Sequence, residues 1–317
     1  MNIFNFTQQF PDEKACRLRF KELRDKLVIK CDKCNYTEYY WHENKLCYEC
    51  KHCHHRKSLR SGTVMQNSKL PFRYWFAAIH LLTCTKKSFS IEEIRRQLGH
   101  KRYQPIWEMV NKLGDVVGKR DNEYQLSGQM ELDEGFFTTE ISQEQKDKPL
   151  KRGRGSQNKS KVLVLAESAF VDNPKKESKP KRVTHIKMYV INDLKSNTIT
   201  NIVKEQVDKS AELITDDSTS YNKLNEHVKS HQAAVVDHDK IPLLLPWVHI
   251  AISNAKRLFL DVHHKLKNEY LQNYLNMYCY KFNRRYFGDK IFDTLLNTAV
   301  SYSPDFKSKI YNRTLCG

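Results

Sequence analysis

No apolar run in this 317-residue chain approaches the ~20 residues that cross a bilayer as a helix, so no membrane-spanning segment is expected. Met1 to Phe10 lack a basic start followed by an apolar core, so no secretory signal is expected either. Acidic side chains are in short supply. There are 37 Asp and Glu against 54 Lys and Arg, a formal charge of +17 and a pI near 9.4. Such a surplus, spread along the chain, favours a polyanionic partner, most simply nucleic acid. An even set of cysteines is missing too. Of nine, five fall between Cys31 and Cys53. That crowding suits a metal site in a reducing compartment, the cytoplasm, better than a disulfide framework.

What is present divides into three stretches, a number that the length allows. Residues 1–66 read as an N-terminal helix and a zinc ribbon, 67–127 as a helical DNA-binding region, and 128–317 as a catalytic domain. Within the first, residues 12–27 have the spacing of a short amphipathic helix. Cys31-Asp-Lys-Cys34 and Cys50-Lys-His-Cys53 are separated by 15 residues, a zinc-ribbon spacing in which four thiolates close one tetrahedral structural site. Cys47 also precedes Cys50 by three, so Cys47 and Cys50 are an alternative second knuckle, and His52, His54 and His55 are further ligand candidates. Arg56, Lys57 and Arg60 follow directly and would lie on phosphates.

In the second stretch, residues 70–82 form a helix with Pro71 in its first turn. Ser90 is a good N-cap with Glu93 three residues on, and Gly99 is placed to end that helix. A further helix runs from Tyr103 to about Val117. Helix, glycine turn, helix, with Lys101 and Arg102 between, reads as a helix-turn-helix on DNA or as a plain helical bundle.

The third stretch is organised around residues 129–137, where apolar Met130, Leu132 and Phe136 alternate with acidic residues as in a strand with one buried face. A carboxylate in mid-strand is costly to bury unless it binds something. Asp133 is preferred over Glu134 because its same-face neighbour is Glu131. A basic glycine-containing loop follows, with Arg152 and Arg154 suited to a phosphate backbone. Strands are expected over 161–170, 185–191 and 211–216, a helix over 197–207, a helix over 220–230, a short strand at Val235 and Val236, and a long helix from Trp247. Three strands, helix, strand, helix, strand, helix is the element order of an α/β, RNase H-like fold. In that order chemistry sits on the first strand, at the end of the fourth, and on the late helix. Asp133 and Asp216 occupy the first two places.

The late helix carries no acidic residue at the expected position. His249, Ser253, Lys256 and Leu260 form one stripe, whereas Asn254 points roughly 140° away from His249. His249 is the preferred third residue and Asn254 the fallback. A neutral imidazole is a softer ligand than a carboxylate and can also shuttle a proton. Arg257 continues a basic run, and Lys281, Arg284 and Arg285 would reach phosphate. Tyr274, Tyr278, Tyr280 and Phe282 recur at helical spacing and belong to a core.

Taken together, these residues resemble the insertion-sequence transposases of the ISXO2-like (IS1595) type, from about Cys31 to Tyr286. The carriers are the two CxxC pairs, Ser61-Gly62-Thr63-Val64, Leu70-Pro71-Phe72-Arg73-Tyr74-Trp75-Phe76 and Glu131-Leu132-Asp133-Glu134. They continue with residues 151–156, Thr215-Asp216, Trp247-Val248-His249 with Lys256-Arg257, and Tyr280 to Arg285. The resemblance implies a DDE-type catalytic domain with Asp133 and Asp216 as ligands of two Mg²⁺ or Mn²⁺ ions. It also implies a basic residue seven after the third catalytic position, which Lys256 supplies if that position is His249. Double-stranded DNA, as terminal inverted repeats and target, would be the partner of a homo-oligomer in a bacterial, nucleoid-associated setting. The rival readings are a decayed, non-catalytic zinc-containing DNA-binding repressor and a nuclease that resolves branched DNA.

Overall fold

The computed structural model describes residues 1–141, 149, 151, 153, 156–171, 180–234, 245–263 and 266–306. Two compact units emerge: Met1–Arg120 with Arg285–Gly317, and Asp121–Arg284.

The first unit begins with α1 (Ile3–Gln9) and α2 (Glu13–Asp25). The α2 N-cap is Asp12, whose carboxylate accepts the Ala15 N–H at 2.7 Å; its apolar stripe buries Cys16, Phe20 and Leu23. A small antiparallel sheet follows, β1 (Tyr39–His42), β2 (Cys47–Cys50) and β3 (Arg56–Ser58), in that order. Then come α3 (Phe72–Cys84), α4 (Ile91–Gln97) and α5 (Tyr103–Asp121). Because Pro71 stands before α3 and has no N–H to offer, the helix exposes the N–H groups of Phe72 and Arg73, and Glu13 accepts both at 2.8 Å. The capping box expected at α4 is present in full, with Ser90 and Glu93 each accepting the other's backbone N–H. Gly99 turns the chain at φ +63°, where only glycine is unstrained.

The last helix, α9 (Lys290–Ser301), belongs to this first unit, not with the residues from 128 onward where the sequence reading had put it. Its apolar face explains why. Phe292 meets the rings of Phe6, Phe10 and Phe76 at 5.9, 5.6 and 6.3 Å. The buried Arg24 guanidinium donates to the carbonyls of Val300 and Ser61.

The second unit is a five-stranded mixed sheet of β4 (Gln129–Thr138), β5 (Lys159–Phe170), β6 (Lys181–Ile191), β7 (Glu212–Asp216) and β8 (Ser230–Ala234), in the order β6-β5-β4-β7-β8. The first three strands meander antiparallel, whereas β7 and β8 run parallel to β4. Alternation along β4 sends Met130 and Leu132 to one face, where α6 (Ser196–Gln206) buries Ile199 and Val203 against them. Phe137 goes to the other face, covered by α7 (Pro246–Val262) and α8 (Asn268–Asn283) through Val248, Ala251, Ile252, Leu271 and Leu275. Gly135 lies on that second face. A Cβ there would sit 2.9 Å from the Phe137 ring and 3.4 Å from Ile252, so the glycine lets α7 approach the sheet beside Asp133.

One expected element differs. Instead of a helix over 220–230, two short 3-10 turns, Thr219–Tyr221 and Leu224–Glu226, lead into β8. Tyr221, Leu224 and Val228 do bury at helical spacing. Ser and Asn side chains, however, compete for the backbone in this segment, and Ser218 accepts the Ser220 N–H. The strand expected at Val235 and Val236 lies outside the described residues.

Candidate active site

Potential ligands occur in both units, and those of the first gather tightly. In the first unit the sulfurs of Cys31, Cys34, Cys50 and Cys53 all lie within 4.8 Å of one another. The Cys31–Cys53, Cys34–Cys50 and Cys34–Cys53 separations are 3.5, 3.6 and 3.4 Å. Zn–S bonds of about 2.3 Å in a tetrahedron put sulfurs roughly 3.8 Å apart, so the cluster fits zinc. Each knuckle makes the same pair of backbone bonds. Asn35 N–H donates to the Cys31 carbonyl and His54 N–H to that of Cys50; Cys31 N–H donates to Tyr36 and Cys50 N–H to His55. Asn35 and His54 take matching left-handed φ values of 59° and 56°. Burial opposes ionisation of Cys31, yet the N–H groups of Lys33 and Cys34 and the neighbouring thiols carry its pKa down to about 6. Cys47 is in β2 opposite His42 and Ser58 and is not a member of the cluster.

In the second unit Asp133 lies on the α7 face of β4. Its Oδ1 accepts the Glu134 N–H at 2.7 Å, and its Oδ2 lies 3.7 Å from His249 Nε2. That imidazole nitrogen is buried with no hydrogen-bond partner. Burial, then the Lys256 charge, hold the His249 pKa below its ordinary value, so the ring is neutral near pH 7. Lys256 is itself lowered, by burial and then by Lys159, while Asp133 works the other way. Asp216 ends β7, whose parallel pairing with β4 closes at Glu131 opposite Ile214. Its Oδ1 accepts the Ser218 N–H at 3.2 Å.

Glu134 projects to the opposite face, where the buried Tyr221 hydroxyl donates to it at 2.6 Å. Burial, then Glu134, then Asp133 and Asp216 push the Tyr221 pKa far up; one phenol thus feels all three carboxylates. Among the described residues, the four cysteines are the one set of three or more ligands within 4.8 Å; Asp133, Asp216 and His249 are not gathered that closely. Asn254 on α7 is exposed, and so is Asp217, just past the end of β7.

Two features escaped the sequence reading. Tyr221 carried no signal beyond its apolar spacing. Glu131, expected as the same-face neighbour of Asp133, is buried, and one of its oxygens accepts the N–H groups of Trp247 at 2.7 Å and Val248 at 2.9 Å. Burial raises its pKa to about 7 against the pull of those two donors. The clue was Pro246, which marks where a helix needs an outside acceptor.

The expected phosphate contacts fare unevenly. Lys101, Arg102 and Arg257 are exposed. Arg56 pairs with Glu49 at 2.6 Å and Lys57 with Asp32 at 2.8 Å. Arg60 is taken by the Ser68 and Leu70 carbonyls, and buried Arg284 by Asp121 at 2.5 and 3.0 Å. Both of these are structural, because each guanidinium satisfies groups that would otherwise be orphaned inside the fold. Arg152 and Arg154 lie outside the described residues.

The sequence profile of the ISXO2-like transposase domain matches residues 125–283, the span that holds β4 through α8. The chain belongs to that family. A relative of this family member is an uncharacterized protein in transposable element ISH50 of Halobacterium salinarum. It is 23% identical over 269 residues, 80% of this chain and 84% of the relative. Among solved structures, a pre-cleavage Mos1 transpososome aligns with 76% of this chain and 82% of its own at 10% identity and a TM-score of 0.23, which carries no structural inference.

Proposed function

We propose that this chain is the transposase of an insertion sequence, binding terminal inverted repeats and cutting and joining DNA strands at Asp133, Asp216 and His249. The observation that carries this reading is the buried, unpartnered His249 Nε2 facing Asp133 Oδ2 at 3.7 Å, within the span matched by the family. The sheet, whose first strand bears Asp133 and whose fourth ends on Asp216, is read as RNase H-like. Asp133 Oδ2, Asp216 and the neutral His249 offer O, O and N donors of the kind a divalent cation takes, Mn²⁺ better than Mg²⁺ because imidazole is the softer ligand. A two-metal centre would divide this set between its ions. Bound there, such ions supply the Lewis acidity that activates an attacking oxygen and stabilises the leaving one.

The side chains do the rest. Glu134 N–H fixes the Asp133 carboxylate so that Oδ2 faces the site. Lys256 brings a positive charge for a non-bridging phosphate oxygen. The zinc knuckles and the helices α4 and α5 are assigned to terminal DNA, with Lys101 and Arg102 on phosphates and Arg257 beside the cleaved strand. Two copies would pair two ends.

Incubation of purified protein with labelled terminal DNA and Mn²⁺ tests the assignment. Cleavage is expected, and Asp133→Asn should lower it by more than about 100-fold, beyond what loss of a supporting contact costs, while terminal binding persists. Full cleavage by Asp133→Asn would sink the site. The histidine at the third position favours one alternative, a decayed transposase that occupies its ends as a repressor; binding without nicking at every Mn²⁺ concentration would establish it.

A further inference from the structure

Glu131 is a buried carboxylate whose hydrogen bonds go to the start of α7. The N-terminal turn of a helix leaves backbone donors without partners. In α7 the N-cap, Leu245, offers no side-chain acceptor, and Pro246 removes one donor. His249 N–H already bonds the Leu245 carbonyl at 3.2 Å. The remaining donors are Trp247 and Val248, and a single Glu131 oxygen accepts both, at 2.7 and 2.9 Å. Two bonds to one atom fix both the height and the rotation of that turn, and His249 is the next residue. Along β4, Glu131 and Asp133 share a face and are two residues apart. The strand therefore grips α7 at Glu131 and meets its histidine at Asp133.

We propose that Glu131 is the positioning residue of this centre: it pins the first turn of α7 so that His249 Nε2 is held against Asp133. The role belongs to the acceptor oxygen and its reach. It rests on the metal-centre reading above. The neutral amide of Gln keeps an oxygen at the same reach. Asp keeps the charge but falls one methylene short. A carboxylate acting as a ligand would show the reverse order.

The test uses the full chain with Fe²⁺ as the probe. Ferrous ion with ascorbate and peroxide cuts backbone close to where it binds, and fragment mapping reads the positions. Wild type should be cut near 133, 216 and 249. In Glu131→Ala and Glu131→Asp the cut at 247–250 should fall roughly 10- to 100-fold relative to those at 133 and 216, the range for lost support around a metal site. Glu131→Gln should restore it. Circular dichroism selects folded samples, and should Glu131→Ala not fold, the Asp and Gln variants decide. An unchanged 247–250 cut in Glu131→Asp, or its loss in Glu131→Gln, overturns the proposal. If wild type is cut at none of the three places while Fe²⁺ still binds elsewhere, the metal centre itself fails and the proposal with it.

Discussion

Cys31, Cys34, Cys50 and Cys53 are brought together by two tight turns with the same hydrogen bonds, and every sulfur lies within 4.8 Å of the others. Asp133, Asp216 and His249 come from two strands and a helix far apart in the chain, and they are not gathered that closely. The contrast separates a cluster built by local turns from a proposed centre that depends on distant elements. In the ribbon, local turns aim the ligands, and the closed shell suits a metal that only holds the fold together. In the sheet, the proposed ligands sit on separate elements, and α7 brings a neutral imidazole to 3.7 Å from Asp133. Both units also share a device: a proline starts a helix, and a glutamate from another element accepts the two N–H groups left over, Glu13 for α3 and Glu131 for α7. In the first unit the capped helix is scaffold; in the second it carries His249.

The largest expected effect separates the two clusters by metal. Stripping zinc with a chelator, or replacing Cys50 with Ser, should unfold the ribbon, since structural zinc contributes on the order of 10 kcal/mol to such small folds. Near-ultraviolet circular dichroism and metal content would report it. Cys47→Ser should keep one zinc per chain. Loss of zinc from Cys47→Ser and its retention in Cys53→Ser would reverse the ligand choice. The second unit should meanwhile keep its own unfolding transition.

A second comparison lies within α7. His249→Ala should lower Mn²⁺-dependent cleavage of terminal DNA roughly 10- to 100-fold. Asn254→Ala, on the exposed side, should change stability by no more than about 0.5 kcal/mol and leave cleavage near wild type. Equal losses would remove the distinction between the two sides of the helix.

His263 ends α7 with its ring 4.4 Å from Tyr274, and burial holds its pKa down to about 4. The folded protein thus refuses a proton that the unfolded chain accepts as pH falls below 6.5. Stability is fully present above pH 6.5 and drains away towards pH 4, by up to about 3 kcal/mol. Urea unfolding at pH 7 and pH 4.5 should show a smaller drop for His263→Phe than for wild type. Smallest of all, Ser90→Ala should cost the first unit about 1 kcal/mol through the lost cap on α4, read as a lower midpoint of thermal unfolding.

Much of this molecule was legible in its residues. The CxxC pairs announced the ribbon. Ser90, Glu93 and Gly99 marked the ends of α4, and alternation in 129–137 marked β4 and its two faces. These features are short-range, written in spacing and caps that act within a few residues. The misreadings were of another kind. Residues 220–230 had helical apolar spacing, but hydroxyl and amide side chains took the backbone elsewhere. Arg60 and Arg284 had the charge to reach phosphate, but buried carbonyls and Asp121 hold them. Residues 290–301 were grouped with the catalytic stretch, but the packing of Phe292 on Phe6, Phe10 and Phe76 sets them in the first unit.

The sequence by itself determined the candidate groups: four thiols in paired knuckles, two aspartates at strand positions, and a histidine with a lysine seven residues later on one helical stripe. Only the tertiary structure decided that the four thiols gather and that His249 comes to Asp133. A carboxylate's partner depends on strand register and on how closely a helix can approach, and those are set by Gly135, by Pro246 and by Glu131, through contacts between residues more than a hundred positions apart. Periodicity is a property of neighbours along the chain, whereas a site of this kind is assembled by neighbours in space.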